Sequence, residues 1–97
     1  MSVERIIQNQ EGTIVDVRTV GEFQGGHVAG SINIPVNELT KRIAEVKALK
    51  LPLVLCCASG GRSAMAAHLL KQQGITCHDG GSWLSVNHLQ SKTVSAL

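Results

Sequence analysis

The sequence has almost no aromatic side chains: Phe23 and Trp83 are the only two, and tyrosine is absent. The core must therefore be aliphatic, and no series of aromatic rings is available on which nucleic-acid bases could stack. An excess of charge of one sign is also missing, because nine lysines and arginines against seven acidic residues leave a formal net charge of only +2. So small and dispersed a charge is not typical of proteins that bind polyanions. We expect no nucleic-acid partner.

Long apolar runs and a leader pattern are missing as well. No stretch approaches the roughly 18 apolar residues that a membrane-spanning helix needs. Residues 1–5 lack the layout of a secretory signal peptide. We therefore predict a cytoplasmic protein that makes no membrane contact, and we expect it to be a monomer.

Cysteine is sparse too, with three residues, of which Cys56 and Cys57 are adjacent and Cys77 stands apart. None of them forms the Cys-x-x-Cys spacing of a redox or zinc motif, and three cysteines cannot build a disulfide framework. The four histidines do not stand at ligand spacing either. We predict no metal, no cofactor and a reducing compartment in which at least one thiol has a function.

The chain does contain short apolar runs that alternate with helical segments. Four runs are predicted as strands: residues 13–17, 31–34, 53–57 and 75–79. Five helices are predicted: one capped by Ser2 and ending near Gly12, a short one around Glu22 and Phe23, one amphipathic helix over residues 36–49, one over residues 64–73, and a short one from Trp83 after a turn at residues 80–82. Alternating strands and helices imply right-handed crossovers and a parallel sheet. The fold class is therefore α/β, a small central parallel sheet flanked by helices in three α/β/α layers, and residues 1–97 form a single domain.

Several polar residues near strand ends are predicted to be structural. Asp16 and Arg18 end the first strand and are expected to form a buried ion pair. His27 lies in a glycine-rich turn and is expected to make a structural hydrogen bond. Cys77 is predicted to be a buried strand thiol.

The segment whose residues are suited to catalysis begins at Cys57, directly after the apolar residues 51–56. In parallel sheets function collects at the carboxyl ends of the strands, and Cys57 lies at such an end. A free thiol with a pKa of about 8.5 is mostly protonated at neutral pH and becomes a nucleophile only as the thiolate. The sequence therefore predicts a loop that stabilises an anionic sulfur.

The residues after Cys57 suit that task. Their N–H groups and the start of the following helix can hold an anion without a metal. Gly60 and Gly61 let the main chain pass close to the sulfur. Arg62 can close the ring or bind an oxyanion, and Ser59 and Ser63 can add hydroxyl donors.

The loop alone leaves the nucleophile open. Four residues separate Cys57 from Arg62, whereas five separate Cys56 from it, and five is the spacing of cysteine-dependent phosphatases. Because strand residues alternate between faces, Cys56 is expected in the core, opposite Cys57. Three functions remain: an enzyme that uses Cys57 as its nucleophile, a phosphatase or arsenate reductase that uses Cys56, and a non-catalytic interaction module.

Five motifs in one order resemble the single-domain rhodanese family of sulfurtransferases. They are residues 13–18, Glu22-Phe23, residues 26–35, residues 57–63 and residues 80–83. The resemblance implies a rhodanese-like fold with Cys57 as the catalytic cysteine. It also implies that the rest of the loop binds substrate: Ala58, Ser59, Gly60, Gly61, Arg62 and Ser63.

The resemblance further implies a reaction. Cys57 would take a sulfane sulfur as a persulfide from a donor such as thiosulfate and pass it to a thiophilic acceptor, which is cyanide, a thiol or a protein. Two positions depart from the family pattern. Cys56 stands where a large apolar or aromatic residue is usual, and Ala58 stands where a basic or polar residue is common. Ala58 gives less help to an anionic donor.

Overall fold

A parallel sheet of four strands organises the computed structural model, which describes residues 2–94, with side chains up to residue 92. The strands are β1 (Thr13–Asp16), β2 (Ile32–Asn33), β3 (Leu53–Cys57) and β4 (Cys77–Ser82). The α-helices are α1 (Val3–Gln8), α2 (Val20–Gln24), α3 (Ile43–Lys47), α4 (Gly61–Gln72) and α5 (Trp83–Val94). The strand order is β2-β1-β3-β4, and every pairing is parallel. The predicted α/β class is confirmed.

Strand β3 lies inside the sheet, and all five of its residues are buried. Its side chains alternate between two apolar clusters. Leu55 and Cys57 face the cluster that α3 and α4 cover. Val54 and Cys56 face the smaller cluster covered by α1 and α5. The three layers and the opposite orientation of the two adjacent cysteines are thus as predicted.

The segment over residues 36–49 is not the single helix that its apolar spacing predicts. It contains a 3₁₀ helix, Val36–Glu38, then a turn, then α3. The Leu39 N–H donates to the carbonyl of Val36, three residues back, as 3₁₀ geometry requires. Leu39 and Val46 are nevertheless buried in one cluster. Both helix types bring residues that are three apart to about the same side. The apolar spacing therefore predicted which face is buried, but it did not predict the turn between the 3₁₀ helix and α3.

Strand β4 also differs from the prediction, since it covers Cys77–Ser82 rather than residues 75–79. The predicted turn at residues 80–82 is wrong. Asp79 pairs with Leu55 and Gly81 pairs with Cys56, which leaves Gly80 as an extra residue in a β-bulge. The bulge keeps β4 paired with β3 up to the end of β3, and it brings the end of β4 beside the loop that follows.

The helix ends are set by local signals. The Ser2 hydroxyl accepts the Arg5 N–H, which confirms the predicted cap, although α1 ends at Gln8 rather than near Gly12. Helix α4 begins at Gly61, three residues before the predicted start, and Gly74 follows its end with a φ of 75°. Helix α5 reaches Val94 and is longer than the short helix predicted. No helix among residues 2–94 is long and apolar enough to cross a membrane.

Candidate active site

The Cys57 side chain ends β3 and points at the first turn of α4. Its sulfur accepts the Gly60 N–H at 3.0 Å and the Ser63 N–H at 3.4 Å. Gly60 has a φ of 108°, a conformation that favours glycine, and this lets the chain turn into α4 directly after the Gly60 N–H. Residue 57 is 1% exposed. The loop thus surrounds the sulfur with main-chain donors at a helix N-terminus.

These donors shift the ionisation of Cys57. Burial of the sulfur favours the neutral thiol, but it is outweighed by hydrogen bonds from the Ser63 side chain and from the main chain of Ser63, Gly60 and Ser59. The pKa of Cys57 therefore lies below its ordinary value. A larger share of this thiol is ionised at neutral pH than in a free cysteine.

Ser63 links the sulfur to a carboxylate that sequence reasoning missed. The Ser63 hydroxyl lies 3.5 Å from the Cys57 sulfur and donates to Asp79 Oδ1 at 2.7 Å. The Gly81 N–H also donates to that oxygen, at 2.9 Å. The sequence pattern places Asp79 only in a strand, yet its position near the carboxyl end of a strand neighbouring β3 is a usable signal.

Arg62 does not lie against the sulfur. Its guanidinium donates to both carboxylate oxygens of Glu22, Nη1 to Oε1 at 2.6 Å and Nη2 to Oε2 at 3.0 Å. The Arg62 hydrogen bonds, followed by that of the Thr19 N–H, lower the pKa of Glu22 to about 2. The loop's one cationic side chain is thus paired with an ionised carboxylate from α2.

Cys56 has the opposite environment from Cys57. It is fully buried on the other face of the sheet. Burial, and then the nearby Asp16 carboxylate, raise the pKa of Cys56 to about 12. A thiol in this state is protonated at neutral pH and is a poor nucleophile.

Asp16 and Arg18 form the predicted buried ion pair. Arg18 Nη2 lies 2.7 Å from Asp16 Oδ2, and the two side chains are 5% and 0% exposed, respectively. Arg18 also donates to the Gly26 carbonyl at 2.6 Å and lies 4.7 Å from the centre of the Trp83 ring. The pair therefore connects β1 to the glycine-rich turn and to the start of α5.

Two other structural predictions are confirmed. His27 Nδ1 lies 2.7 Å from the Phe23 carbonyl oxygen, and the two rings stack with centroids 3.7 Å apart. Cys77 is buried, and its thiol donates to the Ala67 carbonyl across 3.6 Å. Neither residue contacts the loop at Cys57 in these interactions.

A cavity of about 340 Å³ lies at the amino ends of β1 and β2, at the opposite end of the sheet from Cys57. It is lined by the first residues of β1 and β2, Thr13 and Ile32, together with Ile6 and Gln90. Over residues 2–94, no group of three or more histidine, cysteine, aspartate or glutamate side chains could hold a metal ion. The Cys57 loop thus provides a sulfur with a lowered pKa that accepts hydrogen bonds from main-chain N–H groups, as a covalent nucleophile requires.

Comparison with known proteins identifies the family that this fold and loop represent. The Rhodanese-like domain model matches residues 2–85, so the chain belongs to the rhodanese-like family. This confirms the resemblance seen in the motifs.

Individual relatives agree with that assignment. Thiosulfate sulfurtransferase GlpE of Shewanella oneidensis is 33% identical over 95 residues, covering 90% of this chain and 93% of GlpE. YqhL of Bacillus subtilis is 39% identical over 67 residues, 69% of this chain, and the match spans only 52% of YqhL. The crystal structure of a rhodanese-related protein from Thermoplasma volcanium superimposes with a TM-score of 0.76 at 31% identity, covering 90% of this chain and 87% of that one.

Proposed function

We propose that the chain is a sulfurtransferase that carries sulfane sulfur as a persulfide on Cys57. The observation that carries this proposal is the Cys57 sulfur itself, which accepts N–H groups from Gly60 and Ser63 and has a lowered pKa. The similarity to a protein named thiosulfate sulfurtransferase supports the same reaction class.

The proposed reaction has two displacement steps. The Cys57 thiolate attacks the outer sulfur of a donor such as thiosulfate, a new S–S bond forms, and the old one breaks with its electron pair leaving on sulfite. Cyanide or a thiol acceptor then attacks the outer sulfur of the persulfide and releases the Cys57 thiolate. With thiosulfate and cyanide neither step needs a proton, an oxidant or a metal. The main-chain donors stabilise the sulfur anion at the start and end of the cycle.

A phosphatase or arsenate reductase based on Cys56 is the alternative that the sequence leaves open. The burial of Cys56 and its pKa of about 12 argue against it. Cys56 also faces the α1 and α5 side of the sheet, away from the loop donors. Sulfur transfer through Cys57 is the function that the geometry favours.

Mass spectrometry after treatment with thiosulfate tests the proposal. We expect one added sulfur atom, which fragmentation places on Cys57, and production of thiocyanate when cyanide follows. Cys57→Ser should abolish both, whereas the matched variant Cys56→Ser should keep both. Loss of activity only in Cys56→Ser, together with hydrolysis of an aryl phosphate, would instead establish the phosphatase. A Cys57 that reacts with neither sulfur donors nor alkylating agents would indicate an interaction module.

A further inference from the structure

The charge balance around the Cys57 loop points to the class of sulfur donor. Residues 58–63 contain one charged side chain, Arg62. Arg62 lies close enough to Cys57 for the two to interact electrostatically. A dianion such as thiosulfate would need this cation, because it must approach a sulfur that is itself anionic.

That cation is already engaged. Both terminal nitrogens of Arg62 donate to Glu22, which leaves the pair with no net charge. Glu22 in turn is fixed by a capping box: the N–H and the hydroxyl of Thr19 each donate to Glu22 Oε1 at 3.1 Å. The carboxylate is therefore anchored at the start of α2.

A second carboxylate faces the same loop. The Ser63 hydroxyl lies between Asp79 and the sulfur, 2.7 Å from Asp79 Oδ1 and 3.5 Å from the sulfur of Cys57. Arg62 is thus outnumbered by Glu22 and Asp79, while Ala58, the first residue after Cys57, adds no charge. The charged side chains around the loop therefore supply no net positive charge, and anion binding is left to the main-chain N–H groups.

We propose that Glu22 is a specificity-determining residue that directs the site to hydropersulfide donors, R–S–SH, and against the thiosulfate dianion. This inference rests on the proposed sulfurtransferase function. A hydropersulfide brings at most one negative charge, so it does not need a free Arg62.

The transfer from such a donor is balanced. The Cys57 thiolate forms a bond to the terminal sulfur of R–S–SH, and the bond between the two donor sulfurs breaks. The donor leaves as the thiolate R–S⁻ with the electron pair of that bond. The terminal sulfur keeps its proton and remains on Cys57.

The test measures the second-order rate constant for persulfide formation on Cys57 by quenched-flow mass spectrometry. Two donors are compared: thiosulfate and 2-hydroxyethyl persulfide. In the unmodified protein we expect 2-hydroxyethyl persulfide to react faster. Glu22→Gln frees Arg62 and removes one negative charge, so it should raise the rate with thiosulfate about tenfold, the scale of a surface interaction between a unit charge and a dianion. The rate with 2-hydroxyethyl persulfide should change little.

Glu11→Gln is the matched control. This substitution changes the net charge by the same amount. Glu11 lies just before the amino end of β1, whereas Cys57 lies at the carboxyl end of β3. Its rates should equal those of the unmodified protein with both donors. Added salt should reduce the gain in Glu22→Gln, because screening weakens interactions between exposed charges.

The outcomes are distinguishable. Equal rates with the two donors in the unmodified protein would overturn the inference and leave sulfur transfer intact. So would a Glu22→Gln variant in which both rates fall together, since that result indicates a purely structural role. Absence of a Cys57 persulfide with every donor would overturn the proposed function and the inference with it.

Discussion

The Ser63 hydroxyl donates across 2.7 Å to the carboxylate of Asp79, from the first turn of α4 to the neighbouring strand β4. A hydroxyl has a single proton, and a charge-assisted hydrogen bond of this length holds it strongly. Towards the Cys57 sulfur, 3.5 Å away, the same oxygen is then placed to accept from the thiol. Once Cys57 ionises, the Ser63 hydroxyl can turn its proton from Asp79 to the sulfur and so add to the main-chain N–H groups of Gly60 and Ser63 that already stabilise the thiolate.

Removal of the Ser63 hydroxyl should make Cys57 less acidic. Ser63→Ala deletes a side-chain hydrogen bond that lowers the pKa of Cys57, while burial, which raises it, remains. Since the thiolate is the reactive form, the pH profile of iodoacetamide alkylation should move to higher pH. At neutral pH the rate should fall about tenfold, as expected for one hydrogen bond to a charged group.

Ser91→Ala is the control for that measurement. The Ser91 hydroxyl donates to the His88 carbonyl within α5 and not to the Cys57 loop. The alkylation profile of Ser91→Ala should therefore match that of the unmodified protein. A Ser63→Ala profile that coincides with both would show that the main-chain donors alone set the acidity of Cys57.

Asp79→Asn should have the opposite effect. The substitution removes a negative charge near the sulfur and weakens the acceptor that holds the Ser63 proton, and both changes favour the thiolate. The alkylation rate on the acid side of the profile should rise a few-fold, the scale of one surface charge. The amide oxygen of the substituted side chain can still accept the Gly81 N–H, so β4 should keep its geometry. A slower reaction than in the unmodified protein would mean that Asp79 acts mainly by orienting Ser63.

The position and environment of the candidate nucleophile Cys57 could be predicted from local sequence. Strand β3 is a continuous apolar run followed by glycines and a helix, and such patterns depend on neighbouring residues only. The alternation of a strand then separates Cys56 from Cys57. Burial gives Cys56 a raised pKa, while the loop donors give Cys57 a lowered one.

The partners of the loop side chains could not be predicted in the same way. Glu22 is 40 positions from Arg62, and Asp79 is 16 positions from Ser63. These pairs depend on how β1 and β4 pair with β3, and the second also depends on the bulge at Gly80. Helical periodicity has the same limit, because it predicted the buried Leu39 and Val46 without the break between them.

Gly80 should be intolerant of any side chain. A Cβ at this position would lie 2.8 Å from Val54 Cγ1 and 2.9 Å from Val86 Cγ2, closer than carbon atoms pack. Gly80→Ala should therefore lower the free energy of unfolding by about 1–3 kcal/mol, the usual cost of overpacking, as measured by urea denaturation. Gly21→Ala is the control, because no atom lies within 4 Å of its Cβ position in α2. It should stabilise the protein by about 0.4–1 kcal/mol through the unfolded chain.

Asp16→Asn should be more damaging than the loss of any exposed ion pair. It leaves the Arg18 guanidinium without its anion in a site where the side chains of Asp16 and Arg18 are 0% and 5% exposed. Loss of one partner from a buried pair costs about 3–5 kcal/mol, a large part of the stability of a small domain. Urea denaturation should show this cost, while Glu45→Gln, which breaks the exposed ion pair between Arg42 and Glu45, should cost far less because solvent screens that pair. Equal losses in the two variants would mean that the Gly26 carbonyl and the Trp83 ring are enough to hold the Arg18 cation.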